Sequence, residues 1–162
     1  SRTICKTRPS PEWIDSELRA ISERKHYSPA ALIVIYAVTS AAFTLFFGGD
    51  GMDMLTSAAI AVLLRLLETA LKPASINRMF TQLLFGFAGG LAANLCVLAA
   101  FGHHTDLISI GNIMLFVPGI AFTNSLRDLF SGETITGLIR FFESLLLAIL
   151  LALGFALANL MF

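Results

Sequence analysis

Apolar residues dominate five stretches of this chain, and short polar segments separate these stretches. Several of these stretches approach or exceed the roughly 18 to 20 residues that an apolar α-helix needs to cross a bilayer. The polar segments contain residues that end helices, among them Gly48-Gly49 and Lys72-Pro73. The pattern therefore predicts an all-α integral membrane protein, a bundle of five transmembrane helices. The predicted spans are about 29–47, 53–71, 76–101, 106–126 and 134–160.

Residues 1–28 differ from the rest of the chain, because six basic and four acidic residues surround one helix-like stretch, Glu12 to Arg24. Ser28 and Pro29 then have the features of an N-cap and a first-turn proline. Asp53 is the predicted cap of span two. We therefore divide the chain into a cytoplasmic N-terminal segment, 1–28, which we expect to be the tail of a missing domain, and a transmembrane domain, 29–162.

The composition supports a membrane protein and disfavours several other classes. The chain is 56% hydrophobic and only 14% charged, too few charges to cover a soluble domain of this size. Its net charge is zero and its basic residues are not clustered, so nothing favours nucleic-acid binding. Cys5 and Cys96 lie in different environments and predict no disulfide.

Lys and Arg are distributed unevenly among the polar segments. Segments 48–53 and 102–106 contain neither residue type. The N-terminal segment and the loops after spans two and four contain all the lysines and arginines except Arg65 and Arg140. Such residues favour the cytoplasmic side of a membrane. The distribution predicts a multi-pass protein with a cytoplasmic N-terminus and, after five spans, a C-terminus outside.

Span four is interrupted by Pro118-Gly119, within the stretch LFVPGIAFTNSLRDLFSG at residues 115–132. Proline removes a backbone donor and disrupts the carbonyl four residues back, so a broken helix is tolerated in a membrane where it faces protein or water. Transporters use such breaks to aim half-helix ends at a substrate. The N–H groups of Gly119, Ile120 and Ala121 are therefore predicted to bind an anion, most naturally a carboxylate.

Three polar residues follow the break, and they share one face of the predicted half-helix. They are Asn124, Arg127 and Asp128. Arg127 can hold a carboxylate through two hydrogen bonds, and Asp128 can pair with Arg127 or with a substrate ammonium group. The alternative is that Arg127 and Asp128 mark only the cytoplasmic end of span four. The sequence leaves both interpretations open.

Two ion pairs are predicted inside the membrane. The stretches LLRLLET and LIRFFES each place an arginine and a glutamate one helical turn apart, as Arg65 and Glu68 and as Arg140 and Glu143. Charges at this depth are costly and typical of functional sites. The alternative is that the arginines reach back to the headgroups, which does not explain Glu143. Glu143 is therefore the candidate for proton coupling.

Small residues recur at helical spacing in two spans. Gly86 and Gly90 lie in span three, and Ala148, Ala152 and Ala156 lie in span five. Such residues allow close helix packing in lipid. Packing within the chain is favoured over a dimer seam, although we also expect a homo-oligomer, a complex with a second membrane subunit, or both.

His103-His104-x-Asp106 is the one sequence pattern that invites a metal ion. Adjacent histidines do not share a helical face, and no other His or Cys lies nearby in the sequence. We therefore expect an outer-surface loop there and no metal site, and no cofactor is implied. The chain also lacks a nucleophile elbow, a Gly-rich phosphate loop and a Cys-x-x-Cys pattern, which disfavours a membrane-embedded enzyme.

A run of motifs occupies residues 110–143: Val117-Pro118-Gly119, Asn124, Arg127-Asp128, Ser131-Gly132-Glu133 and Gly137-x-x-Arg140. This run resembles the threonine/serine exporter family of membrane transporters. The five-span pattern and the acidic loop Gly48-Gly49-Asp50 are also similar, so that the resemblance extends over roughly 30–160.

The resemblance implies export of small amino or carboxylic acids across the bacterial inner membrane, driven by an ion gradient. It also implies a cytoplasmic domain before the spans and a second membrane half after them, fused or as a separate subunit. We therefore expect a secondary transporter that exports a small carboxylate-bearing metabolite, either a threonine/serine-type amino acid or a dicarboxylate. The alternative is a non-transporting scaffold subunit that supports a partner's transport half.

Overall fold

The computed structural model of the chain describes residues 11–22, 28–72 and 77–162. The chain divides into two compact units, 1–31 and 32–162, and all regular structure in the described ranges is helical. The predictions for Cys5, Arg24 and Pro73 fall outside the described residues. The helices are α1 (Pro11–Ser22), α2 (Pro29–Phe46), α3 (Gly51–Leu71), α4 (Arg78–Leu98), α5 (Thr105–Ile113), α6 (Gly119–Phe130) and α7 (Thr134–Asn159).

Four of the described helices, α2, α3, α4 and α7, are long and apolar enough to cross a membrane. Polar side chains such as Ser40 and Asn112 are fully buried, whereas Val38 and Ile139 are exposed. Soluble proteins mostly expose such polar residues, so this distribution fits a protein whose surroundings are lipid. The predicted all-α membrane class is confirmed, and four long helices with one pair of short ones occupy the five predicted spans.

Buried hydroxyl and amide groups join α2 to α3 and α5. The Ser40 and Ser57 hydroxyl oxygens lie 2.6 Å apart, and Ser40 donates to Asn112 Oδ1 at 3.1 Å. Thr44 donates to Ser57 Oγ at 2.7 Å. A Cβ at Gly111 would collide with the Thr44 hydroxyl, so glycine is needed for α5 to approach. Hydrogen bonds of this kind help to hold helices together in lipid.

Helices α4 and α7 pack closely through glycine. A Cβ on Gly86 or on Gly154 would collide with a backbone carbonyl of the other helix, and one on Gly90 would lie 2.8 Å from Ala158 Cβ. The prediction that Gly86 and Gly90 pack within the chain is therefore confirmed. The predicted alanine row of α7 does not face this seam along its length, since Ala152 is exposed.

A side chain caps the N-terminal end of each of the first two spans. Ser28 Oγ accepts an N–H from the first turn of α2 at 3.1 Å, as predicted. The N-cap of α3, however, is Asp50 rather than Asp53. Asp50 Oδ1 accepts the N–H groups of Met52 and Asp53, while Asp53 Oδ2 accepts that of Asp50. The two aspartates form a reciprocal capping box, which the apolar pattern alone could not assign.

Span four is broken, as predicted, but the break is wider than the predicted Pro118-Gly119 junction. Helix α5 ends at Ile113 and α6 begins at Gly119. Pro118 cannot donate to the carbonyl of Met114, and its ring clashes with that group, so the helix ends before the proline. By helical rise, α5 and α6 are about 14 Å and 18 Å long, so neither crosses a bilayer alone. Helix α5 packs on α3 and α4, whereas α6 packs on α7.

Candidate functional site

Helix α6 approaches α7 closely at Gly137, where an added Cβ would lie 2.8 Å from the backbone nitrogen of Leu129. The approach brings together two charges, because Arg140 Nη1 donates to Asp128 Oδ2 at 2.7 Å. Arg127 Nη2 lies farther from the same carboxylate, at 4.0 Å, and the Arg127 side chain is 74% exposed. Asp128 therefore pairs mainly across the helix boundary rather than with its sequence neighbour.

A cavity of about 260 Å³ lies between α4, α6 and α7, and we name it the Asn124 cavity. Asn124 is joined there by Arg140 and Glu143 of α7 and by Arg78 from the start of α4. Arg78 Nη1 lies 3.8 Å from Glu143 Oε1. Two cations, one carboxylate and one amide thus line a space suited to a small polar ion.

The predicted pairing of Arg140 with Glu143 is wrong, because among the described residues Arg140 pairs with Asp128 and Glu143 pairs with Arg78. A pair one turn apart on a helix contributes only about 0.2–0.5 kcal/mol. Asp128 offers Arg140 a short charge-assisted hydrogen bond instead. The sequence could not reveal that Gly137 lets α6 come this close.

The predicted anion-binding group at the break is only partly assembled. The Gly119 N–H donates to the Val117 carbonyl at 2.8 Å, so it is occupied. The N–H groups of Ile120 and Ala121 donate to no backbone carbonyl within the described residues, and Ala121 lines the Asn124 cavity. Arg127 is not part of the cavity lining, so Asn124, Arg127 and Asp128 do not act on one point as the helical spacing suggested.

The predicted Arg65–Glu68 pair is present. Arg65 Nη1 lies 2.5 Å from Glu68 Oε2, and the Tyr36 hydroxyl donates to the same oxygen at 3.0 Å. The Arg65 guanidinium also lies over the Tyr36 ring, 5.2 Å from its centroid, a cation–π arrangement. The Arg65 side chain is only 9% exposed, so this arginine faces protein rather than headgroups.

A second cavity, of about 360 Å³, lies beside this pair, and we name it the Tyr36 cavity. Its wall includes residues of α2, α3 and α4 and one residue of the break in span four. The polar and aromatic residues that line it are Tyr36, Glu68, Lys72, Arg78, Thr81, Gln82, Phe85 and Phe116.

Two histidines bond two aspartates at the opposite end of α3. His103 Nδ1 lies 2.5 Å from Asp50 Oδ2, and His104 Nδ1 lies 2.8 Å from Asp53 Oδ2. These bonds join the N-terminal end of α3 to the loop before α5. Three possible ligand atoms, one from each of Asp50, Asp53 and His104, lie within 4.8 Å of one another, so these residues could hold a metal ion. The expectation of an isolated outer loop missed this cluster because its acidic members lie about 50 residues away in sequence.

Hydrogen bonds within this cluster shift the pKa values of His104 and Asp50. The hydrogen bond to Asp53 raises the pKa of His104 above its ordinary value of 6.5. The backbone N–H of Asp53 and the side chain of His103 lower the pKa of Asp50 below its usual range. Both shifts favour the charged forms of these side chains.

Among the cavity residues that sequence reasoning missed are Tyr36, Gln82 and Arg78. Tyr36 and Gln82 are polar groups inside apolar spans, which is a usable signal, but neither forms a motif with a neighbour. Arg78 lies at the polar start of α4. In the sequence, an arginine there that only sets membrane orientation cannot be distinguished from one that binds a ligand. Only the packing of α4 between the two cavities distinguishes them, since Arg78 lines both.

The model of the ThrE family, threonine/serine exporter, matches residues 1–161 of the chain. The helical membrane fold with a broken span thus belongs to a family of membrane transporters. The chain is a member of the threonine/serine exporter family, and the match extends to the N-terminal segment that the motif resemblance left out. Neither a comparison with curated proteins nor one with solved structures returns a match.

Proposed function

We propose that the chain exports a small carboxylate-bearing metabolite, a threonine/serine-type amino acid or a dicarboxylate, across the bacterial inner membrane in exchange for an ion. The observation that carries this proposal is the Asn124 cavity. It lies where the second half of the broken span packs on α7, and it contains Arg78, Arg140 and Glu143. Broken helices in transporters commonly accompany such sites.

The cavity residues divide into two roles. Arg78 and Arg140 supply positive charge for a carboxylate, and the N–H of Ala121 adds a donor at the positive end of α6. Glu143, when ionised, pairs with a substrate ammonium group. A proton that neutralises Glu143 weakens this pairing, so the proton and the substrate compete. Such competition is what exchange of a substrate for a proton requires.

The transporting unit is proposed to contain a second copy of this chain or a second membrane subunit. The side chains of Arg78, Arg140 and Glu143 are 67%, 59% and 52% exposed in the chain taken alone. Uncovered charges are costly in hydrocarbon, so a neighbouring helical surface or a water-filled cavity must cover them. The N-terminus is proposed to be cytoplasmic, on the Lys/Arg distribution.

The test is efflux from proteoliposomes that contain the purified full chain and radiolabelled L-threonine or succinate, under an imposed pH gradient. Wild type should release one of the two, and Glu143→Gln should abolish release while keeping its helical circular dichroism and elution volume. Glu133→Gln is the matched control, because Glu133 is exposed and lies in neither cavity. Unchanged efflux in Glu143→Gln would rule out its coupling role. A wild-type chain that supports efflux only with a second membrane subunit would favour the scaffold alternative.

A further inference from the structure

The Tyr36 cavity carries separated charges of both signs. Lys72 and Arg78 supply two cations, and Glu68 supplies a carboxylate. Arg78 has one partner in the described residues, Glu143, at the long distance of 3.8 Å, and Lys72 has none there. The two cations are therefore available to a ligand's carboxylate, which forms strong charge-assisted hydrogen bonds with such groups.

Glu68 keeps one acceptor free. Both Arg65 and Tyr36 bond the Oε2 atom, and Oε1 has no partner in the described part of the chain. Two donors fix the Glu68 carboxylate through Oε2, and Glu68 lines the Tyr36 cavity, so Oε1 is the oxygen left for a ligand. A carboxylate oxygen with vacant lone pairs accepts an ammonium N–H. A second ligand carboxylate would instead be repelled by Glu68.

The cavity also contacts the break in span four. Phe116 lies between the two half-helices and stacks on Phe85, with ring centroids 4.7 Å apart. The side-chain amide of Gln82 donates to the Phe116 carbonyl. A ligand in this cavity therefore contacts the segment that interrupts span four, and Arg78 connects it to the Asn124 cavity, since that arginine lines both.

We propose that the Tyr36 cavity is a second binding site, which takes a small zwitterion with its carboxylate on Lys72 and Arg78 and its ammonium group on Glu68. This proposal rests on the proposed transport function, and it adds a site that selects amino acids over dicarboxylates before the substrate reaches the Asn124 cavity. The volume of about 360 Å³ lies within the range of small-molecule sites, and the Phe85–Phe116 stack provides an apolar wall.

The test is equilibrium binding of radiolabelled L-threonine and of succinate to the full chain in detergent, together with efflux from proteoliposomes. Lys72→Gln removes an exposed cation and should weaken threonine binding by about tenfold or more, the loss expected for one charge-assisted hydrogen bond. Glu68→Gln should weaken threonine binding similarly and leave succinate binding equal or stronger. Tyr36→Phe keeps the ring and should lower threonine affinity less than Glu68→Gln does.

Two controls separate this site from the transport proposal. Arg19→Gln and Glu133→Gln change matched charges outside both cavities and should bind threonine as wild type does. Suppose that Lys72→Gln and Glu68→Gln both bind threonine as tightly as wild type does, while wild type shows efflux and Glu143→Gln does not. That result would overturn the second site and leave the transport proposal intact. If the two variants weaken threonine binding but the wild-type chain shows no efflux, the second site is retained and the transport proposal is refuted. A wild-type chain that binds neither probe refutes both.

Discussion

Arg140 of α7 donates to Asp128 of α6 at 2.7 Å, and this bond links the second half of the broken span to the next membrane helix. The Asp128 carboxylate is 15% exposed, so the pair is largely shielded on one side. We expect Asp128→Asn and Arg140→Gln each to destabilise the chain in detergent. The double variant should lose less than the sum, with a coupling energy of about 0.5–3 kcal/mol. Thermal unfolding of the four proteins measures this coupling, and strict additivity would show that the pair contributes nothing.

The glycine seam between α4 and α7 predicts a specific sensitivity to added volume. Gly86→Ala should destabilise the chain by about 1–3 kcal/mol, because overpacking forces backbone shifts, even though alanine favours helices. Gly51→Ala is the matched control, since nothing lies within 4 Å of a Cβ there, and it should change stability by less than about 0.5 kcal/mol. Unfolding midpoints in detergent compare the two, and equal midpoints would contradict the close approach.

Much of the fold followed from the sequence, whereas the polar contacts between different helices and loops did not. Apolar length and helix-ending residues predicted the four long helices, and the chemistry of Pro118 predicted the break. The pairing of Arg140 with Asp128 depends on the approach at Gly137, and local spacing could not reveal it. The same holds for His104 and Asp53, which the loop before α5 and the first turn of α3 bring together. The Arg65–Glu68 pair was predictable because both partners lie on one helix.

The bond between His104 and Asp53 predicts a pH dependence of stability. The pKa of His104 is higher in the folded protein than the ordinary value of 6.5. The stabilisation from this bond is therefore fully present below about pH 6.5 and lost as the pH rises through the folded pKa. We expect the difference in unfolding midpoint between wild type and His104→Asn to shrink between about pH 6 and pH 9. A difference that stays constant over this range would contradict the shift.

The Lys/Arg distribution predicts which loops face outward. In a chain with Cys5 and Cys96 replaced by serine, single cysteines at Gly49 and His103 should react with a membrane-impermeant thiol reagent added from outside. A cysteine at Ser75, which lies outside the described residues, should react only after the cells are opened. The reverse labelling pattern would show the opposite orientation, with the bonded pairs His103–Asp50 and His104–Asp53 on the cytoplasmic side.

The break at Pro118 is the central element of the transport proposal, and efflux from Pro118→Ala proteoliposomes tests it most directly. Alanine restores the missing donor and favours a continuous helix. The N–H groups of Ile120 and Ala121 would then enter helical hydrogen bonds, and that of Ala121 would be withdrawn from the Asn124 cavity. Pro29→Ala is the control, because that proline lies in the first turn of α2 and interrupts no helix. We predict that L-threonine efflux falls by about tenfold or more in Pro118→Ala, the equivalent of about 1.4 kcal/mol, and stays at the wild-type rate in Pro29→Ala. Wild-type efflux from Pro118→Ala would contradict the proposal that the broken span forms the substrate site.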